Sequence, residues 1–337
     1  MFDWLYRYIA MTPRGLQIVL FIVFLAAGMV SLIKGADWFV DGASALAKRM
    51  GIPTIIVGLT IVSMGTSLPE ASVSVSSAIA NSDGISIGNV VGSNLFNLLV
   101  VLGMSAIFTP ALFDRQVLRR DLPVMLGSAA LLLLFAFVYN TPQGGLMRIE
   151  AAVLLVVFVS YIVLTCVQAR KQARNNPIPL EERKQVKVGR SLLLLAIGLA
   201  LIVVGGDFVT YGAKSLALEI GVSETMVGLT VVAVGTSLPE LVTSIVAARK
   251  GENDIAIGNV IGSNIFNILF ILGMSGAIAP IAITRTVQID IVVMTVLFAL
   301  FAVVAYARRK VSRSVGCVMV VTYAGYMAYV IAREFVH

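Results

Sequence analysis

Two glutamates, Glu70 and Glu240, lie inside apolar segments, and each directly follows a proline. If these segments cross a bilayer, a lone carboxylate there costs at least about 2.5 kcal/mol and needs a partner. One interpretation is a protonated glutamate that joins two helices by a hydrogen bond. The residues that precede each glutamate favour a second interpretation, which is a carboxylate that binds a cation.

Pro69 and Pro239 lack an amide hydrogen and push aside the carbonyl group four residues earlier, at Gly65 and Gly235. We therefore predict that the helix bends or opens at these points. Irregular backbone at membrane depth occurs only inside protein or beside water, so the freed carbonyl oxygens could bind a hard cation. If the proline kink served helix packing alone, it would account for each small residue but not for the glutamate beside them. Hydroxyl oxygens in the same turn come from Thr66, Ser67, Thr236 and Ser237.

The apolar segment that follows each glutamate adds a serine and an asparagine one helical turn apart, which places both on one helix face. We expect these side chains to face the same cavity as the glutamates. Nearby glycines four residues apart favour close helix packing, and serine or asparagine could also hydrogen-bond across such a contact. The serines and asparagines are Ser93, Asn97, Ser263 and Asn267, and the glycines are Gly88, Gly92, Gly258 and Gly262.

Together these groups form a set of oxygen ligands, which suits hard ions such as Ca²⁺ better than transition metals. Two carboxylates neutralise one divalent or two monovalent cations, so Ca²⁺ and Na⁺ can compete for the same charges. Cys166 and Cys317 fall in apolar segments, where we expect core packing and neither a disulfide nor a metal site. We expect no cofactor.

The composition indicates an integral membrane protein. Of 337 residues, 58% are apolar and 13% are charged, whereas soluble domains carry about a quarter charged residues. The mean hydropathy is +0.96. The net charge of +7 comes from basic residues beside apolar segments, a pattern of membrane topology signals and not of nucleic-acid binding. The expected partner is the lipid bilayer, and the long first apolar run argues against a cleaved signal peptide.

Apolar periodicity predicts ten membrane spans. Successive connections between spans lie on opposite sides of the membrane, and one side carries 18 basic residues against 5 on the other side, termini included. Because basic residues mark the cytoplasmic side, we predict a protein of the cell (inner) membrane with both termini outside and the 170–190 loop in the cytoplasm. The predicted spans are 16–40, 52–80, 85–108, 119–138, 147–168, 191–217, 222–248, 254–278, 287–306 and 312–332.

The sequence repeats itself at an offset of 170 residues. Segment 65–70 (GTSLPE) recurs at 235–240, and segment 88–94 (GNVVGSN) recurs at 258–264 with one change. Two halves of five spans each must enter the membrane from opposite sides. We therefore predict an all-α integral membrane protein of ten transmembrane helices in two inverted five-helix repeats. The predicted units are a first repeat (1–174, core 38–110), a cytoplasmic linker (175–190) and a second repeat (191–337, core 208–280).

Through these motifs the sequence resembles the sodium/calcium exchanger family of the calcium/cation antiporter superfamily, as a bacterial-type member without a regulatory domain. The resemblance implies that Glu70 and Glu240 are the central Ca²⁺ ligands, with the backbone carbonyls of Thr66 and Thr236. Some members carry aspartate at Asn267, so this chain has two site carboxylates and not three. For Na⁺ the resemblance implies the same glutamates with Thr66, Ser67, Ser93, Thr236, Ser237, Ser263 and the carbonyls of Ser63 and Ala233, while Asn97 and Asn267 complete the site.

The sequence thus predicts Na⁺/Ca²⁺ exchange by alternating access, with the first and sixth spans moving against a core made by the second, third, seventh and eighth spans. Two transport alternatives remain open: antiport of Ca²⁺ or another divalent cation against H⁺, and a cation channel. A Mg²⁺-dependent membrane enzyme is disfavoured because the sequence offers no nucleophile–base pair, and we expect a transporter and not an enzyme.

Overall fold

The structure is a computed structural model that describes residues 6, 8–9, 11–80, 83–138, 145–175, 187–222 and 233–334. Within these residues the fold is helical, with four strands of two residues each. Eight described helices are long and apolar enough to cross a membrane, and a bent pair of shorter helices could form a ninth span. The predicted membrane-spanning, all-helical class is therefore confirmed. Residues 223–232 of the predicted span 222–248 lie outside the described ranges.

The helices of the first half are numbered in chain order, and three of them contain a π-helical turn. They are α1 (Arg14–Met50), α2 (Thr54–Val57, a π turn Gly58–Val62, then Ser63–Thr66), α3 (Leu68–Ile79), α4 (Asp83–Phe96, a π turn Asn97–Val101, then Leu102–Phe108), α5 (a π turn Val117–Asp121, then Leu122–Val138) and α6 (Arg148–Asn175).

The second half follows the same order. Its helices are α7 (Val188–Glu219), α8 (Ala233–Thr236), α9 (Leu238–Arg249), α10 (Asn253–Phe266, a π turn Asn267–Ile271, then Leu272–Ile278), α11 (Arg285–Arg308) and α12 (Arg313–Glu334). Two antiparallel strand pairs tie the halves together: β1 (Ala111–Leu112) with β4 (Lys310–Val311), and β2 (Gly145–Leu146) with β3 (Ile281–Ala282).

The long helices α1 and α7 run antiparallel and touch at backbone distance. A Cβ atom on Gly35 would lie 2.8 Å from the carbonyl oxygen of Gly198, and one on Gly205 would lie 2.8 Å from that of Gly28. Glycine is required at such contacts because any side chain would collide with the facing backbone. The two helices therefore form one closely packed pair.

Helices α4 and α10 occupy the middle of the molecule. In their most apolar windows 78% and 94% of the residues are buried, against 17% in α1 and α12. Helix α10 packs closely on α2, since a Cβ on Gly258 would lie 2.7 Å from the carbonyl oxygen of Ile55. The expected packing role is therefore confirmed for Gly258 and Gly262, whereas no described atom lies within 4 Å of a Cβ position on Gly88 or Gly92. The burial of α4 and α10 holds their polar side chains inside protein.

Two expectations from hydropathy were wrong in detail. Cys166 and Cys317 are exposed on the outer faces of α6 and α12 and do not pack in the core, because a lipid-facing position is as apolar as a core position. Helix α1 continues to Met50, ten residues beyond the predicted end, and stops at Gly51 in the left-handed conformation (φ 70°). Lys48 and Arg49 in the last turn complement the helix dipole there.

Candidate cation site

Each motif that contains a glutamate forms a break between two helices. Helices α2 and α3 meet at Ser67 with a bend of 49°, and Pro69 lies in the first turn of α3, where its missing amide hydrogen is tolerated. The predicted bend is therefore confirmed in the first half. Helices α8 and α9 meet at Ser237, whose backbone angles (φ −94°, ψ 6°) are close to those of Ser67 (φ −84°, ψ 10°).

The breaks place both glutamates at the beginning of a helix. Glu70 lies in the first turn of α3, and Glu240 lies in the first turn of α9. The amide groups at a helix N-terminus carry partial positive charge, which favours a nearby carboxylate. Both glutamates are fully buried, so protein replaces the water that would otherwise stabilise their charge.

The two carboxylates are linked by hydrogen bonds that cross between the halves. Ser67 Oγ donates to Glu240 Oε1 at 2.7 Å, and Ser237 Oγ donates to Glu70 Oε1 at 2.9 Å. Ser67 and Ser237 are equivalent residues of the 170-residue repeat, as are Glu70 and Glu240, so each bond is the counterpart of the other. The crossed pair joins the two motifs at one place in the interior.

The serines of α4 and α10 complete these hydrogen-bond chains. Ser263 Oγ lies 3.0 Å from Ser67 Oγ, and Ser93 Oγ lies 3.1 Å from Ser237 Oγ. Ser67 Oγ is thus within hydrogen-bond distance of both Glu240 and Ser263, and Ser237 Oγ is within hydrogen-bond distance of both Glu70 and Ser93. All four serines are buried.

Two asparagines that the sequence analysis did not assign to the site hold the glutamate helices in place. Asn89 Nδ2 donates to the backbone carbonyl of Glu70 at 3.3 Å and to Ser74 Oγ at 2.9 Å. Asn259 Nδ2 makes the matching bonds to the carbonyl of Glu240 at 3.4 Å and to Ser244 Oγ at 2.9 Å. The repetition of both asparagines at the 170-residue offset was the signal for their role.

Asn97 and Asn267 each begin a π turn and are fully buried. The π turn of Asn97 packs against α9, which carries Glu240, and the π turn of Asn267 packs against α3, which carries Glu70. Asn267 Nδ2 donates to Asn94 Oδ1 at 3.4 Å. The structure thus brings both asparagines to the helices of the glutamates.

Several buried polar atoms of this cluster have no hydrogen-bond partner within the described residues. A buried polar atom without a partner is costly, and an oxygen of this kind calls for water or a cation. The atoms are Glu70 Oε2, Glu240 Oε2, both side-chain polar atoms of Asn97, and Asn267 Oδ1.

The other predicted residues lie around this centre. Thr66 is buried and its hydroxyl lies 3.0 Å from Asn259 Oδ1, while the Ser63 carbonyl is 3.5 Å from Ser263 Oγ. Thr236 is half-buried, and Ala233 is the first residue of α8. No group of three or more His, Cys, Asp or Glu side chains that could hold a metal ion occurs in the part of the chain that the structure describes.

A cavity of about 320 Å³ borders the cluster. Its lining includes Asn89, Ser93 and Thr236. It also includes Asp290, which accepts two hydrogen bonds of 2.7 Å from the guanidinium group of Arg333. One cavity thus borders both Ser93 of the cluster and the last turns of α12.

Comparison with known proteins agrees with this architecture. The family model described as "Sodium/calcium exchanger protein" matches residues 20–167 and 190–332. The chain is 36% identical over 307 residues to the inner membrane protein YrbG of Escherichia coli (strain K12), covering 88% of this chain and 92% of that protein. It is 34% identical over 293 residues to the sodium/calcium exchanger MaX1 of Methanosarcina acetivorans, covering 77% and 84%. A solved structure of the sodium/calcium exchanger from Methanococcus jannaschii is also similar, with a TM-score of 0.78 and 30% identity over 92% of this chain and 98% of that chain.

Proposed function

The chain belongs to the sodium/calcium exchanger protein family, and from that premise we propose that it exchanges Na⁺ for Ca²⁺ across the cell (inner) membrane. The proposed ions bind between the two halves, at Glu70 and Glu240. The observation that carries the proposal is the crossed pair of hydrogen bonds between Ser67 and Glu240 and between Ser237 and Glu70. Each bond occupies one carboxylate oxygen and leaves the other without a partner among the described residues.

The chemistry of the cluster fits these ions. Carboxylate, hydroxyl, amide and backbone carbonyl oxygens are ligands for Ca²⁺ and Na⁺, and neither thiols nor imidazoles take part. Because Asn267 is an amide, the site charge comes from two glutamates alone. One Ca²⁺ or two Na⁺ neutralise this charge, so binding one kind of ion favours release of the other. The proposed ligands are Glu70, Glu240, Thr66, Thr236, Ser67, Ser237, Ser93, Ser263, Asn97, Asn267 and the carbonyls of Ser63 and Ala233.

The proposed topology is ten transmembrane helices in two inverted repeats, joined by a cytoplasmic linker at 175–190, with both termini outside. The antiparallel course of α1 and α7 supports it, because Gly28 and Gly198 are repeat equivalents, as are Gly35 and Gly205. A twofold relation in the membrane plane turns equivalent helices in opposite directions. The excess of basic residues around 170–190 supports the orientation.

In the proposed mechanism the α1–α7 pair moves against a core that contains the two glutamate helices, α4 and α10. The close glycine contacts make the pair a rigid unit, while α4 and α10 are fixed by burial. Movement of a rigid unit past a fixed site opens the site to one face at a time. A Na⁺ gradient would then drive Ca²⁺ in the opposite direction.

The test is uptake of radiolabelled Ca²⁺ into proteoliposomes loaded with Na⁺, compared with vesicles that contain choline and carry a pH gradient. We expect uptake with the Na⁺ gradient and its loss in Glu70→Gln and Glu240→Gln. Uptake driven by the pH gradient alone would instead establish Ca²⁺/H⁺ exchange, and Ca²⁺ flux without countertransport would establish a channel.

Glu150→Gln is a matched control. Glu150 is a buried glutamate at the beginning of α6, and its Oε2 also has no partner among the described residues. We expect this variant to transport like the wild type, because Glu150 lies outside the crossed pair. Equal loss of transport in Glu150→Gln would mean that burial of a glutamate, and not the site, explains the effect.

A further inference from the structure

Lys250 connects the α1–α7 pair to the turn between α9 and α10. Its ammonium group lies 2.7 Å from Asp37 Oδ1 and 2.6 Å from Asp41 Oδ1, and it donates to the backbone carbonyl of Asp37 at 2.9 Å. Beside it, Ser44 Oγ donates to Glu252 Oε1 at 2.5 Å. Helix α1 is thus held by three of its side chains, one helical turn apart, against a single turn.

The α9–α10 turn is a fixed part of the core. Gly251 adopts a positive φ of 81°, and Glu252 N donates to the carbonyl of Ala247 at 2.9 Å. Thr109, at the end of α4, donates to the carbonyl of Ala248 at 3.1 Å. The contact with Lys250 therefore ties α1 to the core and not to a free loop.

The opposite face of the molecule carries a different contact. The repeat equivalent of Asp37 is Asp207 in α7, and the equivalent of Lys250 is Ala80, which has no charge. Asp207 accepts a hydrogen bond of 2.9 Å from the hydroxyl of Tyr6, near the N-terminus. An ion pair with two aspartates thus stands on one face where a neutral donor stands on the other.

From this asymmetry we propose that Lys250, Asp37 and Asp41 form a one-sided latch. The latch holds the α1–α7 pair against the α9–α10 turn and favours the conformation that is closed on that face, which is the face of the 170–190 connection. This inference rests on the alternating-access mechanism proposed above. Burial lowers the pKa of the Lys250 ammonium, but the hydrogen bonds and charges of Asp37 and Asp41 outweigh that effect and raise it. The Lys250 ammonium group therefore stays charged at physiological pH.

The test is a distance measurement by electron spin resonance in purified protein without a gradient. Spin labels are placed at Met50 and Asn253, in a chain whose exposed Cys166 and Cys317 are replaced by alanine. We expect Lys250→Gln to enlarge the open population at this face roughly three- to tenfold, because two partly exposed ion pairs are lost. Lys250→Arg should restore the wild-type distribution.

Arg14→Gln is the matched control. Arg14 pairs with Glu219, so it joins α1 to α7 within the moving unit and should leave the distance distribution unchanged. If Lys250→Gln does not fold, Asp41→Asn is the milder variant and should give a smaller shift in the same direction. A wild-type distribution in the folded variant would overturn the latch. The measurement requires no ion flux, so it stands apart from a failure of the Na⁺/Ca²⁺ assignment.

Discussion

Repeat-equivalent residues make matching contacts at the centre of the molecule and unlike contacts at its two faces. At the centre the hydrogen bonds to the two glutamates have counterparts: Ser67 to Glu240 matches Ser237 to Glu70, and the bonds differ by 0.2 Å. At the faces the equivalent Asp37 and Asp207 have unlike partners, an ammonium group and a phenol. A site that serves both sides gains from equivalent halves, whereas unlike faces can give the two end conformations different energies.

The strongest test of equivalence is the glycine contact between α1 and α7. We expect Gly35→Leu and its repeat equivalent Gly205→Leu to lower the free energy of unfolding by similar amounts, about 3 kcal/mol each, because both side chains would collide with backbone. Thermal unfolding of the purified variants measures this. Gly325→Ala is the control, since no described atom lies within 4 Å of its Cβ position. A large loss at only one glycine would break the symmetry of the pair.

The serines at the helix breaks test equivalence at the site. We expect Ser67→Ala and Ser237→Ala to weaken Ca²⁺ affinity about tenfold each, because each removes a hydrogen bond to a buried carboxylate. Titration calorimetry on the purified variants measures the affinity. Ser160→Ala is the control, since the Ser160 hydroxyl is exposed and donates to the carbonyl of Val156 in its own helix. Unequal losses would show that one glutamate dominates binding.

The positioning asparagines should have a smaller effect. We expect Asn89→Ala and Asn259→Ala to lower Ca²⁺ affinity about fivefold, because each loses hydrogen bonds to a glutamate helix while the ligands themselves remain. Replacement by glutamine, which keeps the amide, should recover part of the loss. An unchanged affinity in both alanine variants would remove these residues from the account of the site.

The smallest effect is expected at the surface. Arg14→Gln should change the free energy of unfolding by no more than about 0.5 kcal/mol, since Arg14 is 77% exposed and its pair with Glu219 is screened by solvent. Unfolding at low and high salt measures this. A loss above 2 kcal/mol would mean that the ends of α1 and α7 are coupled more strongly than their exposure indicates.

The repeat made much of the fold and the centre predictable. An apolar span cannot carry Glu70 without a reason, and the proline before it predicts a bend, so the helix break followed from local chemistry. The crossed pairing of Ser67 with Glu240 did not follow, because the offset shows that two motifs are equivalent and not which atoms meet. The contact of Asp37 with Lys250 depends on tertiary packing over 213 residues and left no local pattern.

Hydropathy also does not distinguish the side of a span that faces lipid from the side that packs in the core. Cys166 and Cys317 were expected in the core and are exposed, since lipid and core favour the same side chains. The length of α1 was underestimated for a related reason. Counting apolar residues finds where a helix leaves the bilayer, whereas the helix itself continues to the capping residue Gly51.

The central claim is that Glu70 and Glu240 share one Ca²⁺, and equilibrium Ca²⁺ binding to the purified protein tests it directly. Glu70→Gln and Glu240→Gln should each lower the Ca²⁺ affinity by about 100-fold or more, because each removes one of the two buried negative charges that bind the ion. The control Glu150→Gln should bind like the wild type. Wild-type Ca²⁺ affinity in either site variant, with the protein folded, would contradict the account.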